Sequence, residues 1–277
     1  MSGLVDEARV AAHGAADRLG VRIAELSTMD DQLAAAELLR RVWGADSADR
    51  LVNASLMRAF SHSGNYVVGA YRDGHLAGAA VAFLGTDHLH SHIAGVEPGR
   101  QGSGVGYAMK LHQRSWALDR SLSAVCWTYD PLVRRNAYFN LCKLGARATE
   151  YLPDFYGPMD DGTNTDGGPS DRMYVHWDLT APEVAAAARG ECHEVDPGGG
   201  AVVLARGDGD FPVPGADSGA PRLLVSAPAD VEGLRVTDPD LAVRWRYALR
   251  EAMTPALDRG YTVAGITRDG WYVLERA

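Results

Sequence analysis

The chain has 277 residues, of which 46% are hydrophobic and 23% are charged. This composition is ordinary for a folded protein, and the length allows one large domain or two modest ones. The net charge of -9 and a pI near 5.4 argue against nucleic-acid binding, because phosphate neutralisation needs basic faces. The N-terminus lacks the pattern of a signal peptide, and no apolar stretch is long enough to span a bilayer. The sequence therefore predicts a cytoplasmic protein with no membrane contact.

The first half of the chain alternates helical and strand patterns. Apolar residues at helical spacing predict helices over residues 2–19, 29–43 and 48–60, with a strand over 21–26. Alternating or continuous apolar runs then predict strands over residues 65–71, 75–84 and 88–96. The first two of these strands flank Asp73-Gly74, a dipeptide typical of hairpin turns.

The second half continues the alternation and then changes composition. Further elements are predicted as a helix over 104–118, a strand over 124–129, a helix over 132–144, strands over 149–151 and 173–177, and a linker over 181–221. The linker prediction rests on glycine, aspartate and proline, which dominate from residue 187. A strand over 222–226, a helix from Pro239 and a hairpin over 261–275 complete the chain.

Three cysteines, Cys126, Cys142 and Cys192, are an odd number without metal-type spacing. In a reducing cytoplasm we expect free thiols at all three.

A glycine-rich turn joins the third predicted strand to the next helix. Its sequence, residues 95–106, is Gly-Val-Glu-Pro-Gly-Arg-Gln-Gly-Ser-Gly-Val-Gly. Such a turn leaves N–H groups unpaired at the positive end of the helix dipole, where an anion can bind, and glycine lets a phosphate approach the backbone. No Gly-x-x-x-x-Gly-Lys-Ser/Thr loop is present, and a hairpin precedes the turn, unlike a dinucleotide-binding unit. A simple tight connection remains an alternative.

Gln101-x-x-Gly104-x-Gly106 resembles the Gln/Arg-x-x-Gly-x-Gly/Ala signature of the GNAT N-acetyltransferases. The flanking elements agree with that family from about Val21 to Leu179, and the finer features resemble a poorly characterised GNAT subfamily. The resemblance implies a mixed α/β fold that binds acetyl-CoA. Backbone groups near Val96 would contact the pantetheine arm, Asn136 would contact CoA, and the turn would hold the pyrophosphate. The residues of the turn are Gln101, Gly102, Ser103, Gly104, Val105 and Gly106.

Proton transfer during acetylation needs a base and an acid. In histone-type members of the family the base is a carboxylate on the strand before the signature, and the corresponding position here is about His90. A hydrogen-bonded structural histidine is an equal alternative. The family's acid is usually a tyrosine, but Leu141 stands at that position, so Tyr138, one helical turn earlier, is the candidate, with ordinary core packing as its alternative.

Two other patterns have competing interpretations. His88, His90 and His92 alternate along one strand face and could converge on zinc, but no fourth ligand has suggestive spacing, so we expect no metal. The loop over residues 152–171, which includes Asp160 and Asp161, could border the acceptor site or be a solvated acidic loop. The run Arg244-Trp245-Arg246 could face a ligand, although a surface or packing role is favoured.

The sequence thus predicts a helix over residues 1–20, a GNAT domain over 21–180, the linker over 181–221 and an α+β extension over 222–277. The extension is a candidate dimer contact. The expected function is transfer of an acetyl group from acetyl-CoA to the amine of a small molecule. Two alternatives stay open: an acyl-CoA-binding regulatory module without catalysis, and a metal-dependent hydrolase that uses the three strand histidines.

Overall fold

A computed structural model describes residues 2–48, 51–159, 167–216 and 219–276. The described chain divides into two compact units. The first comprises residues 2–48, 51–127 and 178–189, and the second comprises 128–159, 167–177, 190–216 and 219–276. The mixed α/β fold class that the sequence predicts is confirmed. The predicted domain bounds at residues 20, 180 and 221 stay predictions.

The first unit contains the helices and strands of the N-terminal half of the chain and one helix beyond residue 180. They are α1 (Ser2–Arg18), β1 (Val21–Glu25), α2 (Met29–Trp43), α3 (Ala54–His62), β2 (Tyr66–Arg72), β3 (His75–Leu84), β4 (Leu89–Val96), α4 (Val105–Asp119), β5 (Ala124–Tyr129, whose last two residues belong to the second unit) and α6 (Pro182–Ala188).

Local sequence explains where the early helices begin. Thr28 caps α2 through a capping box with Asp31, and the helix ends at Gly44 in a left-handed conformation. The helix predicted from residue 48 starts later, at Ala54, because Asn53 accepts a hydrogen bond from the N–H of Leu56 and so caps it there. Residues 49 and 50 of that prediction lie outside the described residues.

The strands of the first unit are hydrogen-bonded in the order β1-β2-β3-β4-β5. The pairs β1–β2, β2–β3 and β3–β4 are antiparallel, whereas β4 and β5 are parallel. Asp73 and Gly74, with φ of 51° and 79°, form the predicted hairpin turn between β2 and β3. The sheet is therefore mixed, with its parallel pair immediately before the glycine-rich turn.

Helices pack on both faces of this sheet. A side chain at Gly95 of β4 would meet Leu39 and Val42 of α2, whereas one at Gly78 of β3 would meet Met109 and Val105 of α4. These contacts place α2 on one face and α4 on the other, with the main apolar core between α2, α3 and strands β2 and β3. A second cluster joins α1, α4 and α6.

The second unit combines a hairpin with a separate sheet. Its elements are α5 (Arg134–Tyr138) with a π-helical turn (Phe139–Lys143), β6 (Arg147–Leu152), β7 (Arg172–Asp178, whose last residue belongs to the first unit), β8 (Ala201–Arg206), β9 (Pro212–Pro214), β10 (Arg222–Ser226), α7 (Val231–Thr237), α8 (Pro239–Asp258), β11 (Tyr261–Ile266) and β12 (Trp271–Arg276). Strand β6 pairs antiparallel with β7, and the other sheet has the order β11-β12-β10-β8-β9.

Two expectations from the sequence are corrected by the structure. The segment predicted as a linker over 181–221 contains α6, β8 and β9; Leu204 of β8 is buried, and β8 pairs in parallel with β10. Backbone pairing and burial of a few apolar residues thus outweigh its composition. Cys142 and Cys192 are joined in a disulfide, so the free-thiol prediction holds for Cys126 alone.

Buried charges hold parts of the second unit together. Asp130 accepts two hydrogen bonds of 2.7 Å from Arg246 and one of 2.5 Å from Arg235. Both guanidinium groups are almost fully buried, as is Trp245. The Arg-Trp-Arg run of α8 therefore contributes to packing. Burial raises the pKa of Asp130, but the charge and hydrogen bonds of Arg246, and then the charge of Arg235, outweigh it and hold the pKa well below the ordinary 3.8.

None of the helices in the described residues has both the length and the apolar character that crossing a bilayer requires.

Candidate active site

The glycine-rich turn between β4 and α4 adopts a backbone that depends on glycine. Gly99, Gly102 and Gly104 have φ of 84°, 78° and 91°, a region that other residues rarely adopt. The side chain of Gln101 stabilises the turn from within, because its Oε1 accepts a hydrogen bond of 2.8 Å from the N–H of Gly99. Gln101 therefore shapes the turn with its side chain and leaves its backbone for other contacts.

The turn presents backbone donors at the start of α4. The N–H of Ser103 donates to the carbonyl of Arg100, and the N–H of Ala108 is the first to reach a carbonyl at helical spacing, that of Gly104. Among the described residues, no backbone carbonyl that precedes α4 accepts a hydrogen bond from the N–H groups of Gly104, Val105 or Gly106. These groups lie at the positive end of the helix dipole, an arrangement that suits a phosphate.

The hydroxyl of Ser103, in the same turn, is a further polar group that could bind a ligand. Its Oγ is buried and makes no hydrogen bond with any described residue. A buried hydroxyl without a partner costs free energy, and in native proteins such a group usually has a water or ligand beside it. The residues of the turn therefore fit a phosphate group, with amides and one hydroxyl as donors.

Strands β4 and β5 separate just before this turn. Their backbone pairing comprises Leu89 with Val125 and His90 with Cys126, and within the described chain it extends no further along β4. Residue 91 and residues 93–96 continue to pair with β3 on their other side. The backbone edge of β4 up to Val96 is thus open toward β5, where an extended ligand can hydrogen-bond to it.

A β-bulge sits at the start of this opening. The register with β3 shifts between the pairs Val81–Ile93 and Ala82–Ser91, which leaves His92 as the extra residue on β4. Bulges bend a strand and redirect its side chains. The bend therefore places His90 and His92 beside the point where the two strands part.

The ring of Phe83 packs against His90. The ring centroid of Phe83 lies 4.9 Å from that of His90, and Phe60 lies 5.8 Å from Phe83. Burial, and then the charges of His92, His88 and Lys110, lower the pKa of His90 to about 4. At neutral pH the imidazole is therefore uncharged. It can accept a hydrogen bond from an amine, although such a low pKa makes it a weak base.

The histidine strand does not converge as a metal site would. The rings of His88 and His90 are 6.5 Å apart and those of His90 and His92 are 6.4 Å apart. In the part of the chain that the structure describes, the group of potential ligands within 4.8 Å of one another is Cys142, Cys192 and Glu194, and its two cysteines are already bonded to each other. The hydrolase alternative thus has no clustered ligands on β4.

Two predicted site residues, Asn136 and Tyr138, belong to the second unit. Asn136 is exposed on α5. The hydroxyl of Tyr138 donates to Glu194 at 2.7 Å and accepts from Arg268 at 3.0 Å. Burial and the hydrogen bond to Glu194 raise the pKa of Tyr138. The phenol stays protonated at neutral pH, and its proton already has an acceptor in that unit, so its role as the acid stays a prediction.

The loop over residues 152–171, predicted to border the acceptor site, is described only in part. Asp160 and Asp161 lie outside the described residues, and Tyr156, from the same loop, has its hydroxyl 3.0 Å from that of Thr128.

Sequence reasoning missed Lys110 and Ser91. Lys110 lies on α4 and its ammonium group is 3.0 Å from the hydroxyl of Ser91 on β4. The chain has 27 arginines and lysines, and only Lys110 and Lys143 are lysines. A lone lysine on the buried stripe of a helix was the available signal.

No model of a protein family matches the sequence, and no curated protein matches it. In structure, the chain is similar to the ribosomal-protein-S18-alanine N-acetyltransferase of Escherichia coli, with 17% identity, a TM-score of 0.49, and coverage of 58% of this chain and 95% of that one. It is also similar to a GNAT-family acetyltransferase of Streptococcus pneumoniae (14% identity, TM-score 0.46, 56% and 97% coverage). A third similar structure is RimJ of Mycobacterium smegmatis in complex with CoA-disulfide (16%, 0.46, 62% and 90%).

Proposed function

We propose that this chain is a GNAT-type acyltransferase that moves an acetyl group from acetyl-CoA to the amine of a small molecule. The observation that carries the proposal is the combination of two features on adjacent segments. Strands β4 and β5 separate after His90, and the turn that follows β4 offers unpaired amides and the unpartnered Ser103 hydroxyl. The opening suits an extended arm, and the turn suits the phosphates attached to it.

The residues of the first unit divide the work of binding. The amides of Gln101, Gly102 and residues 104–106, with the hydroxyl of Ser103, would hold the pyrophosphate, supported by the dipole of α4. The open backbone edge up to Val96 would pair with the pantetheine arm. The thioester, once bound, supplies an activated acyl group. The chain's own contribution to the reaction is then to orient the amine and to exclude water.

His90 lies at the start of this opening and is an uncharged imidazole at neutral pH. It would accept a hydrogen bond from the attacking amine and so orient the nitrogen lone pair. Because its pKa is about 4, the imidazole is a weak base and contributes little by removing a proton from the amine near neutral pH. We therefore expect replacement of His90 by alanine to lower turnover by about tenfold, within the range of one lost orienting hydrogen bond, and not to abolish it.

Binding can be tested without knowing the amine. Isothermal titration calorimetry should detect acetyl-CoA and CoA, and no binding of either at about 1 mM would refute the proposal. Ser103→Ala removes a hydroxyl that lacks a partner in the free protein, so its thermal stability should be unchanged or higher. Its affinity for CoA should fall about tenfold, the loss of one hydrogen bond to a charged group.

Acetyl-pantetheine provides the matched control, since it carries the thioester but not the pyrophosphate. Ser103→Ala should leave its binding unchanged. Equal weakening of both ligands would contradict the assignment of Ser103 to the pyrophosphate. Turnover is then measured as thiol release from acetyl-CoA over a panel of amines.

A second candidate is an acyl-CoA-binding module without catalysis. It is favoured by Leu141 at the position of the family's tyrosine and by the hydrogen bond that already engages the Tyr138 hydroxyl. This alternative predicts acetyl-CoA binding with no thiol release over the amine panel, and no effect of His90→Ala on binding.

A further inference from the structure

Lys110 is a buried lysine that the proposed chemistry does not use. It is the sixth residue of α4, and 9% of its surface is exposed. Its ammonium group donates to the hydroxyl of Ser91 at 3.0 Å and to Oε1 of Gln113 at 2.9 Å. It also lies 3.8 Å from the centre of the Trp127 ring, a cation–π contact. The three contacts come from three different elements, β4, α4 and β5.

The strand residues that Lys110 contacts have a specific position. His90 and Cys126 form the last backbone pair between β4 and β5. Ser91 directly follows His90, and Trp127 directly follows Cys126. Lys110 therefore links the two strands one residue beyond their last backbone pair.

A buried ammonium group is costly, so its presence requires compensation. Burial lowers the pKa of Lys110 to about 7. Of the 27 arginines and lysines in the chain, 25 are arginines, and the only other lysine is Lys143. A guanidinium is planar, whereas the tetrahedral ammonium can direct its three N–H groups toward three separate partners. The geometry thus needs a lysine here.

We propose that Lys110 is a positioning residue that clasps β4 to β5 where they separate, and so sets where the acyl-CoA opening begins. The inference rests on the proposed function, because the opening matters only if a thioester enters it. The helix that carries Lys110 begins at the anion-binding turn. The contacts of Lys110 with Ser91 and Trp127 therefore fix the distance between the binding positions of the pyrophosphate and of the acyl group.

The first test needs no ligand. Without the clasp, backbone pairing at the end of the β4–β5 ladder should open more often, so Lys110→Met should speed hydrogen–deuterium exchange locally at residues 89–91 and 125–127. Exchange in β1, β2 and α2 should match the wild type. Unchanged exchange at the ladder end would overturn the proposal, and so would faster exchange throughout the sheet, which indicates a general core defect.

The second test separates the two halves of the ligand. Lys110→Met should weaken acetyl-CoA binding about tenfold, while adenosine 3′-phosphate 5′-diphosphate, the nucleotide half, should bind within about twofold of wild type. Loss of affinity for both acetyl-CoA and the nucleotide, or for neither ligand, would overturn the proposal that Lys110 positions the two strands. If the wild type binds neither ligand, the proposed function fails, whereas the exchange experiment still reports on the clasp.

Lys143→Met is the matched control, because Lys143 is the other lysine and is exposed. It should behave as wild type in both tests. If Lys110→Met does not fold, Ser91→Ala removes one of the two strand contacts while keeping the lysine. It should give the same pattern of local exchange and ligand discrimination, and a wild-type pattern would refute the proposal.

Discussion

Two glycines of the turn, only two residues apart, should respond in opposite ways to the same substitution. Gly104 precedes α4 with φ of 91°, whereas Gly106 lies inside the helix with no positive φ. An alanine at Gly104 must adopt a left-handed conformation, which costs about 1–2 kcal/mol. Its Cβ would also lie 3.3 Å from Leu19, closer than most real contacts. Gly104→Ala should therefore lower the free energy of unfolding by about 2 kcal/mol.

Gly106→Ala is predicted to be neutral or stabilising. Its Cβ would lie 3.6 Å from Val96, an ordinary van der Waals contact. Alanine is favoured over glycine in a helix by about 0.5–1 kcal/mol. The two variants should thus differ by about 2–3 kcal/mol in urea denaturation followed by circular dichroism, with unchanged m-values. Equal stability of the two variants would refute the backbone argument.

Other predictions concern buried charge and covalent links. Asp130→Asn leaves two buried guanidinium groups uncompensated and should cost about 3–5 kcal/mol in urea denaturation; a loss below about 1 kcal/mol would contradict the network. Reduction of the disulfide, or Cys142→Ser, should cost about 2–4 kcal/mol for a sequence separation of 50, and equal melting temperatures with and without reductant would exclude it. Because the pKa of Lys110 falls from 10.5 to about 7 on folding, the unfolded chain binds the additional proton, and stability should rise with pH between about 7 and 10. Lys110→Met should flatten that part of the profile, and an identical slope in the variant would argue against a lowered pKa of Lys110.

The sequence predicted best where a local rule decides the structure. Asp73-Gly74 marks a hairpin turn through its own backbone preferences. The start of α2 was predicted at residue 29, where the capping box of Thr28 begins the helix, whereas α3, capped by Asn53, was predicted six residues too early. The glycine turn belongs to the same class, because its positive φ values need glycine whatever surrounds it.

Features that depend on tertiary contacts were beyond the sequence. The bulge at His92 follows from the register against β3, which no property of β4 alone determines. The partner of Cys142 lies 50 residues away, and spacing does not select it. The burial of Arg246 depends on Asp130, 116 residues earlier in the chain. The linker prediction missed β8, because the glycine and aspartate residues on both sides of this short paired strand are typical of loops.

One edge of the sheet in the second unit is chemically protected. Strand β9 pairs with β8 through Pro212, Val213 and Pro214, and two of these three residues have no N–H. Phe211 and Gly215 hydrogen-bond to β8, so the backbone of Pro212 and Pro214 faces the open edge. An incoming strand from another molecule would find no N–H donor at these two residues, although the edge exposes the apolar side chain of Val213. The prolines therefore let an exposed, apolar edge resist intermolecular strand addition, so that aggregation at this edge should increase if both are replaced by residues that can donate.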